Sequence, residues 1–248
     1  MQVLEIHNVR GGYIPELDIL QGIDLVLNEG EVVGVIGLNG SGKSTLGKAI
    51  MNMIPRREGE IRFCGQSITS LATHELATRG IAIMQQGGQV FNTMSVWENL
   101  QLAFGDGQDK EYIAQLKEIV PLLARPKKEL QHTMADKLSG GQRHQLALAM
   151  TLARRPKLAI LDEPSAGLSP KAVDEMYAIL QQVRERLGVT ILLIEQNIAK
   201  AIDFCDRSIL LAQGTIAHEF INGTLADVEK KCLINNQNNR NINLKNNL

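Results

Sequence analysis

Three short stretches of this chain carry residue types whose spacing suits chemistry on a polyphosphate. The first is Gly37-Leu38-Asn39-Gly40-Ser41-Gly42-Lys43-Ser44-Thr45, which fits G-x-x-x-x-G-K-[ST]. Gly37, Gly40 and Gly42 allow a tight turn whose successive N–H groups point inward at an anion. Lys43 is long enough to reach β- and γ-phosphates, and the Ser44 hydroxyl can ligate Mg²⁺. The second stretch is Leu138-Ser139-Gly140-Gly141-Gln142. Its serine and glycines expose amides at a helix start, a second anion site, although Ser139 alone would equally suit an ordinary N-cap. The third is Asp162-Glu163-Pro164, in which two carboxylates close an apolar run. Taken alone, such a pair after a strand is weak evidence.

Each stretch needs a frame. Glu31-Val32-Val33-Gly34-Val35-Ile36 is apolar and β-branched, and reads as a buried strand feeding the first loop. Leu46 to Ile54 has helical spacing and a stop at Pro55, so the helix dipole also faces the phosphates. Residues 2–9 read as a strand, Gly11-Gly12-Tyr13 as a turn, and Ile19 to Asn28 as a second strand interrupted at Gly22. A turn at Gly30, a short strand over Gly59–Phe63 and a short helix over 74–79 follow. Gly80 to Met84 is another buried strand, leaving the polar run Gln85-Gln86-Gly87-Gly88-Gln89. From about Ser95 to Arg154 the pattern turns helical, with Ser95 and Asp109 as N-caps and the Pro121 and Pro126 pair dividing it. Strands at Leu158–Asp162 and Val189–Ile194 alternate with helices near 170–187 and 198–204, before a hairpin over 207–221 around Gln213-Gly214. The alternation predicts an α/β fold, a mainly parallel sheet with an all-helical insertion.

Composition narrows the classes. At 248 residues, 44% hydrophobic and 21% charged, the chain suits one large soluble domain or a domain with a subdomain. A net charge of −1 makes no electrostatic case for nucleic acid as a partner. Cys64, Cys205 and Cys232 lie far apart without a C-x-x-C pair, which disfavours a disulfide framework or zinc site and suits a reducing cytosol. The five histidines, His7, His74, His132, His144 and His218, have no metal-ligand spacing and read mostly as surface residues. No apolar block marks a signal peptide, and no run approaches the roughly 18 to 20 residues that span a bilayer. Any work at a membrane is therefore expected to go through docking on other proteins. The asparagine-rich stretch over 233–248 cannot bury enough apolar surface to fold alone and is predicted disordered.

Taken together, the three stretches resemble the ATP-binding subunits of ABC transporters. Gly37–Thr45 matches their Walker A loop, Leu138-Ser139-Gly140-Gly141-Gln142 their signature, and Leu158 to Glu163 their Walker B strand. The resemblance covers roughly residues 2–230. It implies a P-loop NTPase fold: a RecA-like, mainly parallel sheet with N-terminal antiparallel strands and an inserted α-helical subdomain. The implied ATPase domain runs over 1–232, with its core at about 1–90 and 155–232 and the helical subdomain at about 91–154. ATP and Mg²⁺ are the implied cofactors. Gly37, Leu38, Asn39, Gly40, Ser41, Gly42, Lys43, Ser44 and Thr45 would cradle the phosphates, and Ser139, Gly140, Gly141 and Gln142 would complete a site on a second subunit. Ser44, Asp162 and Gln86 are the metal positions, with Asp162 acting through water. Glu163 is the position of the general base. Gln86 would also contact the attacking water and sense the transporter. Tyr13 matches the aromatic that stacks on adenine, with a turn tyrosine packed on the surface as the other reading.

Two positions depart from the common pattern. Ser165-Ala166-Gly167-Leu168-Ser169-Pro170 occupies the place of the family's D-loop, but Ser169 stands where many members carry aspartate. Gln196, in Glu195-Gln196-Asn197, replaces the switch histidine that bridges the γ-phosphate and the second subunit. Glutamine can donate a hydrogen bond but cannot become charged. E-Q-N and G-L-[SA]-P resemble the branched-chain (hydrophobic) amino-acid importer branch, with urea, amide or other amino-acid transporters as alternatives. The implied partners are a second ABC ATPase subunit, identical or not, transmembrane permease subunits and a solute-binding protein. The implied place is the inner face of the cell membrane. Trp97 has two readings, lining the groove for a permease coupling helix or packing within the helical subdomain. A regulatory GTPase is disfavoured because N-K-x-D and D-x-x-G are missing. A non-transport ABC protein is disfavoured because the chain has neither a long coiled-coil insertion nor a second nucleotide domain.

Overall fold

The computed structural model describes residues 1–14, 16–105, 109–221, 226, 230 and 231. The predicted disordered stretch at 233–248 and Cys232 lie outside the described residues.

Two sheets share one core. The first is antiparallel, in the order β2-β1-β4-β5, from β1 (Gln2–Gly12), β2 (Leu20–Asn28), β4 (Arg56–Phe63) and β5 (Gln66–Ser67). The second has the order β10-β9-β3-β8-β7-β6, from β3 (Val32–Ile36), β6 (Ile81–Met84), β7 (Leu158–Asp162), β8 (Thr190–Glu195), β9 (Arg207–Ala212) and β10 (Thr215–Ile221). Within it β9, β3, β8, β7 and β6 run parallel, and β10 turns back antiparallel on β9.

Near-continuous apolar strands are what a sheet covered on both faces requires. β8 shows this: Leu192 and Ile194 join the core beneath the antiparallel sheet, while Ile191 and Leu193 join the core beneath the helices. β7 divides the same way, with Leu158 and Ile160 on one side and Ala159 and Leu161 on the other. Fully buried leucines and isoleucines of this kind contribute about 1.5 to 3 kcal/mol each. Between the sheets runs α1 (Lys43–Ile50), which buries Leu46, Ala49 and Ile50 against Leu4, Ile6 and Leu25. A short α2 (Thr73–Arg79) precedes β6.

Four helices lie between β6 and β7: α3 (Val96–Phe104), α4 (Lys110–Ile119), α5 (Lys127–His132) and α6 (Gly140–Leu152). Ser95 caps α3 with a reciprocal Glu98 contact, and Asp109 caps α4 through the amides of Glu111 and Tyr112, as expected of both residues. Pro121 opens a 3₁₀ turn and Pro126 precedes α5, so the prolines do divide the region. After β7 come α7 (Pro170–Gln182), continued by a π-helical turn over Val183–Leu187, and α8 (Ile198–Phe204).

Three sequence expectations change. Gly11 and Gly12 are strand, not turn: they pair with Arg57 and Arg56 of β4, and a Cβ on Gly11 would lie 2.3 Å from the Arg56 carbonyl oxygen. The helix after the phosphate loop ends at Ile50, well before Pro55, because Asn52 adopts a positive φ of 52° that a helix cannot continue through. His144 is buried rather than on the surface. It sits on α6 with its Nδ1 2.9 Å from the Gly140 carbonyl, and a Cβ on Gly88 would lie 3.2 Å from its ring.

Candidate functional site

The parallel pairing brings the three motif-bearing strand ends to one edge of the sheet. Ile36 pairs with Glu195, and Ile194 with Asp162, so the chain leaves β3, β8 and β7 side by side. This is the edge where open parallel sheets take their ligands.

Residues 37–42 form the loop between β3 and α1. A Cβ at Gly37 would lie 2.3 Å from the Leu211 carbonyl oxygen, so only glycine lets the loop turn here. Lys43 is 4% exposed and its Nζ donates to the carbonyls of Gly37 (2.8 Å) and Leu38 (3.0 Å). Burial pulls its ammonium below the usual lysine value, against the opposing pull of the Glu163, Asp162 and Glu195 carboxylates. Among the described residues, the buried Ser41 hydroxyl finds no hydrogen-bond partner, a donor left over for a ligand. Asn39, Gly40, Gly42, Lys43, Ser44 and Thr45 line a cavity of about 320 Å³, and Gln86, Glu163 and Gln196 close it from the other strands.

Asp162 and Glu163 are both buried. The Ser44 hydroxyl donates to Asp162 Oδ1 at 2.9 Å, and burial raises the Asp162 carboxyl above its usual value, opposed by that hydrogen bond. Glu163 holds φ at 50°, a left-handed conformation that costs a non-glycine residue about 1 kcal/mol or more. Its amide donates to Ile194 O at 2.8 Å, pinning it to β8. Gln86 Nε2 donates to Glu163 Oε2 at 2.5 Å, and Gln196 Nε2 donates to Glu163 Oε1. Both glutamines singled out from the sequence thus converge on the same carboxylate. Tyr13 follows β1, is 43% exposed, and has the Lys48 Nζ of α1 5.9 Å from its ring centre.

Ser139, Gly140, Gly141 and Gln142 sit elsewhere. They open α6 as a capping box: Ser139 Oγ accepts from the Gln142 amide at 3.3 Å, and Gln142 Oε1 accepts from the Ser139 amide at 3.1 Å. The N-cap reading of Ser139 is thus the one the geometry shows. With Arg125, Gly167, Leu168 and Ser169 these residues line a groove of about 480 Å³ that shares no lining residue with the phosphate cavity. Ser169 caps α7 through the Ala172 amide at 3.4 Å, a task that aspartate can also perform.

For Mg²⁺ the donor set fits. Ser44, Asp162 and Gln86 offer hard oxygen ligands, and no group of three or more His, Cys, Asp or Glu residues forms a self-sufficient metal site among the described residues. A cation held by one carboxylate, a hydroxyl and substrate phosphates is the usual arrangement for Mg²⁺.

Sequence reasoning passed over Glu195 and Asn99 as side chains. Glu195 is 2% exposed and ends β8; a carboxylate closing the run Thr190–Ile194 was the available signal. Asn99 is fully buried and ties the Phe91 amide and carbonyl to α3. Nothing distinguished it from other helix asparagines.

A glycine loop opening a helix against a parallel sheet, facing two carboxylates at the end of the next strand but one, defines a P-loop nucleoside triphosphatase. The sequence model of the family described as "ABC transporter" matches residues 20–166. The chain belongs to that family, and it is an ATP-binding, ATP-hydrolysing cassette. It is 36% identical over 240 residues to the probable branched-chain amino acid transport ATP-binding protein LivF of Archaeoglobus fulgidus, covering 93% of this chain and 98% of that protein. It is 33% identical to the high-affinity branched-chain amino acid transport ATP-binding protein BraG of Pseudomonas aeruginosa, covering 82% and 87%. The lipopolysaccharide export system ATP-binding protein LptB of Escherichia coli is 32% identical, with 81% and 83% covered. Among solved structures, the dimeric post-hydrolysis state of an ATP-binding cassette bound to ADP and Pi superposes with a TM-score of 0.76 at 25% identity, covering 90% of this chain and all of that one.

Proposed function

We propose that this chain powers import of a small solute, a branched-chain or other hydrophobic amino acid, as one ATPase subunit of a two-fold dimer docked on membrane permease subunits. The observation that carries the motor reading is the Glu163 carboxylate, held by Gln86 and Gln196 at the mouth of the cavity lined by Lys43 and Ser44. In this reading the loop amides and Lys43 bind the β- and γ-phosphates of ATP. Glu163 orients a water and takes its proton as the water oxygen bonds to the γ-phosphorus and the bond to the ADP oxygen breaks. Ser44, Asp162 and Gln86 would hold Mg²⁺, which supplies charge neutralisation on the β- and γ-phosphates. Tyr13, whose ring centre lies 5.9 Å from the Lys48 Nζ of α1, would meet the adenine.

The separation of the two anion-suited surfaces supports the dimer. Exposed Ser139 and Gly140 line a groove of their own, so each can serve the phosphate loop of a partner in a head-to-tail pair. Among the described residues no helix is long and apolar enough to cross a membrane; in this reading the membrane spans belong to permease subunits on whose cytoplasmic side the chain docks. The groove of about 370 Å³ lined by Met84, Gln85, Gln89, Val90 and Phe91 adjoins Gln86 and offers a place for a permease segment. The amino-acid cargo, and with it a solute-binding protein, rests on similarity to LivF and BraG and on Glu195-Gln196-Asn197 with Gly167-Leu168-Ser169-Pro170. Similarity to LptB favours a second reading, export of a lipidic cargo.

Glu163→Gln tests the motor. Turnover is expected to fall by about 10²- to 10⁴-fold while ATP drives the variant into a dimer on sizing. A variant that hydrolyses at the wild-type rate and stays monomeric with ATP would refute the reading. Proteoliposomes holding the neighbouring permease genes' products and labelled leucine separate import from export.

A further inference from the structure

Glu195 is a carboxylate buried at the rim of a site built for a polyanion, an expensive place for a negative charge unless something uses it. Its two oxygens serve different segments. Oε1 accepts from the Ser165 hydroxyl at 2.6 Å, itself only 7% exposed. Oε2 accepts from the amides of Gln196 at 3.0 Å and Asn197 at 3.3 Å. Ser165 begins the stretch whose next residues, Gly167, Leu168 and Ser169, wall the groove at the start of α6. Gln196 donates its side chain to Glu163. One buried carboxylate therefore joins the wall of the signature groove to the residue that orients the catalytic carboxylate.

We propose that Ser165 and Glu195 are positioning residues: their hydroxyl–carboxylate bond fixes the backbone at Gln196, and through it the Glu163 carboxylate, so that the groove wall and the hydrolytic centre move as one. The inference rests on the reading of Glu163 as general base. The carboxylate at position 195 suits this bridging role. A carboxylate presents acceptors on both oxygens, and here it accepts three hydrogen bonds at once.

The test is steady-state ATP hydrolysis, binding of a fluorescent ATP analogue and thermal unfolding of the full chain, for Ser165→Ala, Ser165→Thr, Glu163→Gln and the Ser165→Ala/Glu163→Gln pair. Ser165→Ala removes one hydroxyl and no bulk, so it folds even where truncation of Glu195 would not. It is expected to lower kcat by about tenfold with KM and analogue affinity within about twofold, because only orientation in the transition state is lost. Ser165→Thr restores the rate. In the Glu163→Gln background the loss vanishes, since the group being positioned is gone. A Ser165→Ala kcat within twofold of wild type overturns the proposal. So does a loss that tracks falling affinity and melting temperature, or one that persists beside Glu163→Gln. If Glu163→Gln itself turns over like wild type, the general-base reading fails and takes the latch with it; the other outcomes sink the latch alone.

Discussion

The side-chain amide of Gln196 donates to Oε1 of Glu163, so the residue after β8 sets the orientation of the residue after β7. A hydrogen bond to a charged group contributes about 1.5 to 3 kcal/mol. Gln196→Ala is therefore expected to lower kcat by about 10- to 100-fold. Gln196→His, whose imidazole N–H can also donate, should keep most of the rate. Phosphate release at saturating ATP distinguishes the two, and an unimpaired Gln196→Ala would remove Gln196 from the machinery.

The first and second glycines of the phosphate loop differ in what constrains them. At Gly37 the obstacle is the Leu211 backbone carbonyl 2.3 Å from a built Cβ, which cannot rotate away. At Gly40 nothing lies within 4 Å and only the φ of 79° opposes a side chain. Gly37→Ala should cost about 2 to 4 kcal/mol of stability and weaken ATP binding more than tenfold. Gly40→Ala should cost about 1 kcal/mol. Denaturant unfolding with and without ATP measures both.

Tyr112 makes a pH prediction far from the nucleotide. Its hydroxyl donates at 2.9 Å to Leu152 O at the end of α6, a carbonyl that also accepts from the Arg155 amide at 3.0 Å. Burial pushes the phenol from 10.0 up to about 12, opposed by Arg155 and reinforced by Asp109. Because the folded value is raised, this contribution is complete below pH 10 and is lost as pH rises through about 12. Tyr112→Phe should lose about 1 to 2 kcal/mol at neutral pH and show a shallower decline across that alkaline window. Unfolding midpoints from pH 8 upward supply the check, and parallel curves would refute it.

If each active site combines the loop of one protomer with the groove of the other, two defective variants can rescue one another. Lys43→Ala disables the loop, and Gly140→Asp places a negative charge at the start of α6, where a Cβ meets nothing closer than Leu168 at 3.7 Å. Neither should hydrolyse ATP alone. An equal mixture should recover about a quarter of the wild-type rate, since half the dimers are mixed and each holds one intact site. A mixture as inactive as its parts would exclude shared sites.

Most of the frame could be read from local pattern. Ser95 and Asp109 are caps because a short oxygen-bearing side chain before a helix has one obvious task, and alternating apolar strands with helical segments leave few sheet topologies. Tertiary facts were another matter. The strand pairing of Gly11 and Gly12 depends on β4, which lies far along the chain, and a glycine pair alone suggests a turn. His144 is held against Gly88, a contact that no helical periodicity announces. In the site, Lys43, Asp162 and Glu163 were legible in the motifs, and Gln86 and Gln196 through the family resemblance. The meeting of both glutamines on one carboxylate, and the double duty of Glu195, appear only when β8 is seen to lie between β3 and β7.

That strand order also bears on how the molecule is made. β3, which ends in the phosphate loop, hydrogen-bonds to β8 and β9 and to no other strand among the described residues. Both are synthesised long after it. On a ribosome the strand that carries the loop lacks its partners while the helical segment and α7 emerge, and it gains them only with β8 and β9. Nucleotide binding by this loop is therefore expected only in a nascent chain whose β8 and β9 have already been made.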